Sequence, residues 1–335
     1  MRKNFVKLEK SDIDCFISRH TILVFKVRNS RIKSLQLAIL EAFFLLKNFD
    51  PIVIKNPPLS EHKGIFALAF ESFELSRFVN FFNDLGYSNE VYQVKFDDDF
   101  NEMVDITSCW KGKNINCVRI FKQDEDKFLA ESPDKREFAI FDNNNVVKKV
   151  VGYRGNGQDL GRRALPVEDC RMMINLSMFA KDDSLLDPFA GGGGIIFQAR
   201  KRSSKLYSCD IDTSLKPGLE LYGANHFVGD AINWKIDKPI QVLVTEIPFL
   251  LSVTNNVCHI LTRLSDYLSN DSRIVVMCSL RQKEILQKEM STCYYHCFSF
   301  DVNRKGTSVS VLYFTKSKDL FDEVTDLYND VKYMY

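Results

Sequence analysis

Four consecutive glycines, Gly191 to Gly194, follow an apolar stretch that ends in an acid, Ser184-Leu-Leu-Asp187, then Pro188-Phe-Ala190. With Ile195 to Arg202 behind them, the pattern predicts a strand, a glycine loop and a helix in immediate succession. Glycines after a strand turn the chain sharply and let backbone approach a ligand with no Cβ in the way. The N–H groups of the following helix would face the same ligand. This unit constrains the fold more than any other stretch, because it sets a ligand cradle at the carboxyl end of a strand. It is not a Walker loop, which needs Gly-Lys-Ser/Thr, and it fits a GxGxxG dinucleotide fingerprint poorly. Asp187, just before the glycines, suits a ligand with a cationic amino group rather than an anionic pyrophosphate.

The neighbouring stretches alternate in the same way. Glu168 to Ala180 reads as a helix and Lys205 to Cys209 as a short strand. Val242 to Thr245 and Arg273 to Cys278 are continuous apolar runs, as in parallel strands buried on both faces. The expected fold of this half is a doubly wound α/β domain. Tyr295 to Val302 and Ser308 to Phe314 flank Arg304-Lys-Gly306 and predict a hairpin at the sheet edge. Leu320 to Tyr335 predicts a surface helix. In the first half, strands are expected at Thr21–Arg28, Pro51–Ile54, Gly64–Phe70 and Val91–Phe96, with helices at Arg31–Lys47 and Phe73–Leu85. That order is the split βαβ, ferredoxin-like α+β pattern. Residues 97–105 read as a solvated connector. Phe138–Phe141 and Val146–Val151 predict a second hairpin around Asp142-Asn-Asn-Asn145. Three regions result: 1–96 ferredoxin-like, 97–151 small and β-rich, and 152–335 α/β.

The chain has 335 residues, with 45 Lys and Arg against 44 Asp and Glu. That balance excludes a protein that holds nucleic acid by bulk positive charge. Local clusters remain: Arg154, Arg162, Arg163 and Arg171 before the glycine loop, Arg200, Lys201, Arg202 and Lys205 after it, and Lys26, Arg28, Arg31 and Lys33 near the N-terminus. Each reads either as a solvated face or as phosphate contacts. Nine cysteines, with no CxxC pair, suit a reducing, cytoplasmic setting. Cys293-Tyr-Tyr-His296-Cys297 reads as strand thiols, and no metal site is expected. Neither a signal peptide nor a membrane-spanning segment is expected.

Acids recur where strands should end. Asp210, in Cys209-Asp-Ile211-Asp212, would accept hydrogen bonds from ribose hydroxyls. Asp230, in Val228-Gly-Asp-Ala231, follows further on. Each also has a plain alternative as a helix cap or turn residue. After the fourth strand of this half comes Val244-Thr-Glu246-Ile247-Pro248-Phe249-Leu250.

Leu186-Asp-Pro-Phe-Ala-Gly-Gly-Gly-Gly194 resembles motif I of class I S-adenosylmethionine-dependent methyltransferases, in the form typical of amino-methyltransferases acting on nucleic acid. The resemblance implies a Rossmann-like, seven-stranded sheet with an antiparallel C-terminal hairpin. It implies S-adenosylmethionine contacts from Asp187, Pro188, Phe189, Ala190, Gly191 and Gly193, from Asp210 and Ile211, and from Asp230 and Ala231 at the adenine. Glu246, Ile247, Pro248 and Phe249 align with the family's catalytic Asp/Asn-Pro-Pro-Tyr/Phe, with Ile in place of the first Pro and Glu in place of Asp or Asn. That motif supplies an acceptor for an exocyclic N–H, a neighbouring carbonyl and an aromatic face for a flipped base.

Tyr153-Arg-Gly-Asn-Gly-Gln-Asp-Leu-Gly-Arg-Arg163 and the helix after it resemble the segment before motif I in the tRNA guanosine-10 N2-methyltransferase family. This implies a tRNA substrate contacted by Arg154, Arg162 and Arg163. It also implies a THUMP RNA-binding region, for which 97–151 offers only a reduced version, and, as in some relatives, a small zinc-containing activator protein. Two other readings stand beside it. One is a degenerate, non-catalytic module that binds RNA or protein; the other is a DNA amino-methyltransferase.

Overall fold

The computed structural model describes residues 4–60, 62–71, 79–96, 115–120, 137–142, 145–151, 165–304 and 307–333. The chain divides into two compact units, residues 1–124 with 327–335 and residues 125–326.

In the first unit, β1 (Phe5–Val6), α1 (Ile13–Arg19), β2 (His20–Val27), α2 (Leu35–Leu45), β3 (Ile52–Ile54), β4 (Ile65–Glu71), α3 (Val79–Phe82), β5 (Ser88–Phe96) and β6 (Ile115–Ile120) follow in order. The six strands lie as β1-β3-β4-β2-β5-β6. The four inner strands pair antiparallel. β6 pairs with β5, Val91 opposite Ile120, and carries this sheet past residue 96. Both faces of β4 are buried: Ile65, Ala67 and Ala69 join one core cluster, and Phe66, Leu68 and Phe70 are fully covered. The helix expected from residue 31 begins only at Leu35. Asn29–Ser34 winds more tightly, and Ser34 leaves the helical path at φ −114° and ψ 33°. Within α2 the fully buried Glu41 accepts the N–H groups of Gly86 and Tyr87 at 2.5 and 2.9 Å, which satisfies a carboxylate that could not otherwise leave water. Of the helix expected at 73–85, residues 73–78 lie outside the described residues.

In the second unit, β7 (Glu137–Asp142) and β8 (Asn145–Val151) form a separate antiparallel hairpin. The remaining elements are α4 (Val167–Leu176), β9 (Leu185–Asp187), α5 (Gly194–Ala199), β10 (Leu206–Asp210), α6 (Lys216–Leu221), β11 (Ala224–Val228), β12 (Ile240–Glu246), α7 (Thr254–Arg263), β13 (Leu268–Ser279), α8 (Lys283–Met290), β14 (Tyr295–Arg304) and β15 (Thr307–Thr315). Helix α9 (Lys318–Lys332) ends the described chain. Seven strands make one sheet in the order β11-β10-β9-β12-β13-β15-β14. The first five are parallel, and β14 and β15 return antiparallel. This is the doubly wound sheet with an antiparallel C-terminal hairpin that the resemblance implies. Val242, Leu243, Val244 and Ile274 to Cys278 are fully buried, as continuous apolar strands under helices must be. Among the described residues no helix is long and apolar enough to cross a membrane.

Candidate functional site

Parallel strands bring their carboxyl ends to one edge of the sheet. Strand order reverses between β9 and β12, the crevice where open α/β sheets hold ligands. β9 ends in Asp187, β10 in Asp210 and β12 in Glu246, so three acids separated in sequence meet at that edge.

Asp187 is buried, with about one per cent of its surface exposed. The Thr245 hydroxyl, next strand over, donates to its Oδ1 at 2.7 Å, and the Phe189 N–H donates at 3.3 Å. Burial is the largest influence on this carboxyl and, with Asp210 and Glu246 nearby, pushes it up to about 7, against the pull of those two hydrogen bonds. Pro188 is buried beneath the loop, and Phe189 packs half-buried on the core. The Ala190 N–H is held by the Cys209 carbonyl at 2.9 Å. Gly191 and Gly193 then turn at φ +48° and +69°, conformations that a side chain disfavours. A Cβ on Gly191 would meet nothing within 4 Å, so the turn borders open space. Helix α5 is shorter than expected, six residues rather than eight, because the chain tightens into a turn at Arg200.

Asp210 clasps the loop. Its Oδ2 accepts the Gly191 N–H at 2.8 Å and its Oδ1 the Asp212 N–H at 2.9 Å. A carboxylate has about four acceptor positions, so two stay open to hydroxyl donors. Asp212 is the cap of the pair, accepting from the N–H and hydroxyl of Ser214. Asp230 also caps a turn, through the Ile232 N–H at 3.0 Å, while Ala231 is buried in the core. Ile211 stands 76% exposed beside these acids. Acceptors at Asp187, Asp210 and Asp230, an open glycine turn and an exposed apolar side chain make an acceptor set for amino and hydroxyl hydrogens beside an apolar surface.

Glu246 is half-buried at the end of β12. Arg304, from the end of β14, forms an ion pair with its Oε1 at 2.9 Å. Burial raises the Glu246 carboxyl above its ordinary range, and Arg304 pulls in the opposite direction. Ile247 takes the place of the first proline of the family motif. It is buried, and its N–H donates to the Met277 carbonyl at 3.0 Å, a ladder bond no proline can make. Pro248 is exposed and Phe249 half-buried. Leu250, Leu251 and Leu280 are exposed apolar neighbours on this edge.

The loop after β12 is braced by Gln282, which is fully buried. Its Nε2 donates to the carbonyls of Pro248 and Leu250 at 2.8 and 3.4 Å and reaches the Thr254 hydroxyl at 3.1 Å; its Oε1 accepts from the Ser279 N–H and hydroxyl. Gln282→Ala is expected to cost about 2–4 kcal/mol of unfolding free energy, because it leaves several buried polar groups unpaired. Urea unfolding measures this, and a change below about 0.5 kcal/mol, the size of an ordinary surface substitution, would show that the amide does not brace the loop.

Arg154, Arg162 and Arg163 lie outside the described residues. Much of the remaining basic charge is engaged within the chain. Arg171 is buried and donates to Gln198 at 3.0 Å. Arg202 binds the Asn175 side chain and the Phe179 carbonyl, Arg200 stacks on Phe197, and Lys205 donates to the Asp182 carbonyl. In the first unit Arg31 is buried over the Tyr87 ring, Arg28 donates to the Gly86 carbonyl, and Lys26 pairs with Glu90. Several of these residues therefore serve packing rather than a free basic face. Sequence reading gave Thr245, Asp169, Gln282 and Arg304 no role at the site. None carries a local signal, since each acts across a long sequence separation.

No family model matches the chain. Over 91 residues it is 33% identical to the tRNA (guanine(10)-N2)-dimethyltransferase of Methanothermobacter thermautotrophicus, which covers 25% of this chain and 27% of that one. Over 142 residues it is 28% identical to a protein of Methanothermococcus thermolithotrophicus named probable tRNA (guanine(10)-N2)-dimethyltransferase, covering 37% of this chain and 88% of that one. Among solved structures, an rRNA methylase from Streptococcus thermophilus aligns with a TM-score of 0.35 at 14% identity, over 42% of this chain and 89% of that one. The chain is thus similar to methyltransferases over part of its length, and it spans about a quarter of the first of these relatives.

Proposed function

We propose that this protein is an S-adenosylmethionine-dependent N-methyltransferase that acts on an exocyclic amino group of a base in RNA, with guanosine N2 in tRNA as the preferred substrate. The observation that carries this reading is the convergence of Asp187, the Gly191 turn clasped by Asp210, and the Glu246–Phe249 segment at the switch point of one sheet. The choice of guanosine in tRNA draws on the names of the two relatives. Asp187 and the glycine turn would hold the amino-acid end of the cofactor, Asp210 its ribose, and Asp230, Ala231 and Ile211 its adenine. The cofactor supplies an electrophilic methyl group.

Glu246 accepts a hydrogen bond from the substrate amino group and so turns the nitrogen lone pair toward the methyl carbon. Phe249 offers a face for the flipped base. Positioning does most of the work. The amino nitrogen would take the methyl group as its bond to the cofactor's sulfur breaks, leaving a neutral thioether, and would then shed a proton, for which the Glu246 carboxylate is placed as an acceptor.

The full-length protein, incubated with radiolabelled S-adenosylmethionine and either total small RNA or genomic DNA, tests this. Label is expected in RNA, recovered as N2-methylguanosine by nucleoside mass spectrometry. Label confined to DNA would move the protein to the DNA amino-methyltransferases. Cofactor binding without transfer to either would make it a binding module.

A further inference from the structure

Arg304 stands at the last described position of β14 and has no place in the cofactor or RNA contacts above. Two of its three guanidinium nitrogens donate hydrogen bonds, and Nε sits at ion-pair distance from a carboxylate without a hydrogen bond. Nε lies 2.9 Å from Asp169 Oδ2, Nη1 lies 2.9 Å from Glu246 Oε1, and Nη2 meets the Met277 sulfur. Asp169 is fully buried in α4, the helix that precedes the glycine loop, and the Arg304 side chain is 15% exposed. One planar group thus ties together α4, the end of β12 and the end of the C-terminal hairpin. Glu246 Oε2 has no partner among the described residues.

The geometry has a chemical consequence. Glutamate carries one more methylene, and one more rotatable bond, than the aspartate or asparagine of the family motif. A carboxylate on that longer stem sweeps a wider arc, which works against the fixed geometry that transfer requires. Guanidinium is a rigid fork with defined N–H directions, whereas an ammonium is a point charge. With the Asp169 carboxylate paired to one side of the fork, the other side fixes Glu246 Oε1 and leaves Oε2 as the oxygen with no partner among the described residues. The cluster holds two carboxylates and one guanidinium, so Glu246 keeps a net acceptor character instead of being fully neutralised.

We propose that Arg304 is the positioning residue of this site: ion-paired with Asp169, it orients Glu246 so that the unpartnered Oε2 receives the hydrogen of the substrate amino group. The inference rests on the transferase reading given above.

Arg304→Lys keeps the charge and loses the fork. It is expected to lower kcat by on the order of 10- to 100-fold, as for misplacement of a reacting group, with KM for total tRNA and Kd for S-adenosylmethionine within about threefold of wild type, as for an interaction made only in the transition state. Arg304→Ala is expected to lose more, and millimolar guanidinium chloride, well below denaturing levels, to restore part of its turnover but none to Glu246→Gln.

A second readout needs no turnover. In thermal melts, the Tm losses of Arg304→Gln and Glu246→Ala should not add in the double variant, because the two side chains share one contact. Wild-type kcat in Arg304→Lys, a defect confined to KM for tRNA, or additive Tm losses would each overturn the proposal. A wild-type protein that binds cofactor yet transfers no methyl group would remove the transferase reading, and the positioning role with it. Active wild type with an equally active Arg304→Lys removes only the latter.

Discussion

Asp187→Asn is expected to raise the melting temperature at pH 8 while removing most of the affinity for S-adenosylmethionine. The Asp187 carboxyl sits at about 7 in the folded chain, because burial outweighs the hydrogen bonds from Thr245 and Phe189. In the unfolded chain it titrates near its ordinary value of about 4. Between these values the unfolded state has released the proton and the folded state has kept it. Stability is therefore greatest below the lower value and falls as pH rises to the upper one. Above about pH 7 the whole penalty is present, on the order of 4 kcal/mol for a shift of about three pH units. Asparagine fits the same space and carries no charge, so the variant escapes that penalty. At roughly 2–4 °C per kcal/mol for a unit of this size, a gain of about 5 °C or more is expected at pH 8, and little at pH 4.

The affinity moves in the opposite direction. A cationic amino group loses its charged partner, which costs on the order of a hundredfold. In the wild type, affinity should improve about tenfold per pH unit as Asp187 ionises below pH 7, and this slope should vanish in the variant. Calorimetric titration and melts at both pH values measure all three effects. Equal affinity in the variant would remove Asp187 from the cofactor site, and a lower melting temperature at pH 8 would remove the burial penalty on its carboxylate. A residue that destabilises its own fold in the state that binds ligand is what a site under functional demand looks like.

Glu246→Gln should abolish most transfer without disturbing the cofactor. The substitution keeps the side-chain volume and leaves an oxygen that can still face Arg304. It replaces the free acceptor Oε2 with an NH₂ group, so a donor meets the substrate's donor. Loss of one such oriented partner costs on the order of 10²–10³ in kcat. The Kd for S-adenosylmethionine should stay within about threefold, since a loss confined to the transition state leaves ground-state binding alone. The wild-type rate should also fall as pH drops through the raised range of the Glu246 carboxyl, because protonation removes the acceptor. A variant with kcat within tenfold of wild type would show that Glu246 does not orient the amine.

Much of the second unit is legible from its residues alone. The apolar runs at 242–245 and 273–278 sit inside β12 and β13, and β14 and β15 pair antiparallel up to Arg304 opposite Thr307. Such elements announce themselves because their signal is local, in period, β-branching and turn chemistry. Edges are less legible. Helix α5 stops at Ala199 and the helix near residue 31 starts late, since the ends depend on what packs against them. β11 and α6 offer only five and six residues of pattern, whereas α7 and α8 do carry an apolar helical face, with Val257, Ile260 and Leu261 buried in one and Leu286 and Met290 in the other. Charge was the least legible property. Arg31 and Arg171 look like surface cations in a string of letters and are buried in the fold, where each meets a partner that only folding brings near.

The sequence by itself determined the glycine loop, the acid before it and the order of strands that follows, because backbone conformation and apolar patterning are written in neighbouring residues. Only the tertiary structure decided how the acids are held. Thr245 reaches Asp187 and Arg304 reaches Glu246, each across a separation of 58 residues, and Asp169 anchors the guanidinium from a third element. No local pattern can specify such contacts. They exist because parallel strands deliver their carboxyl ends to one edge, and because buried charges persist only where a partner of opposite charge meets them.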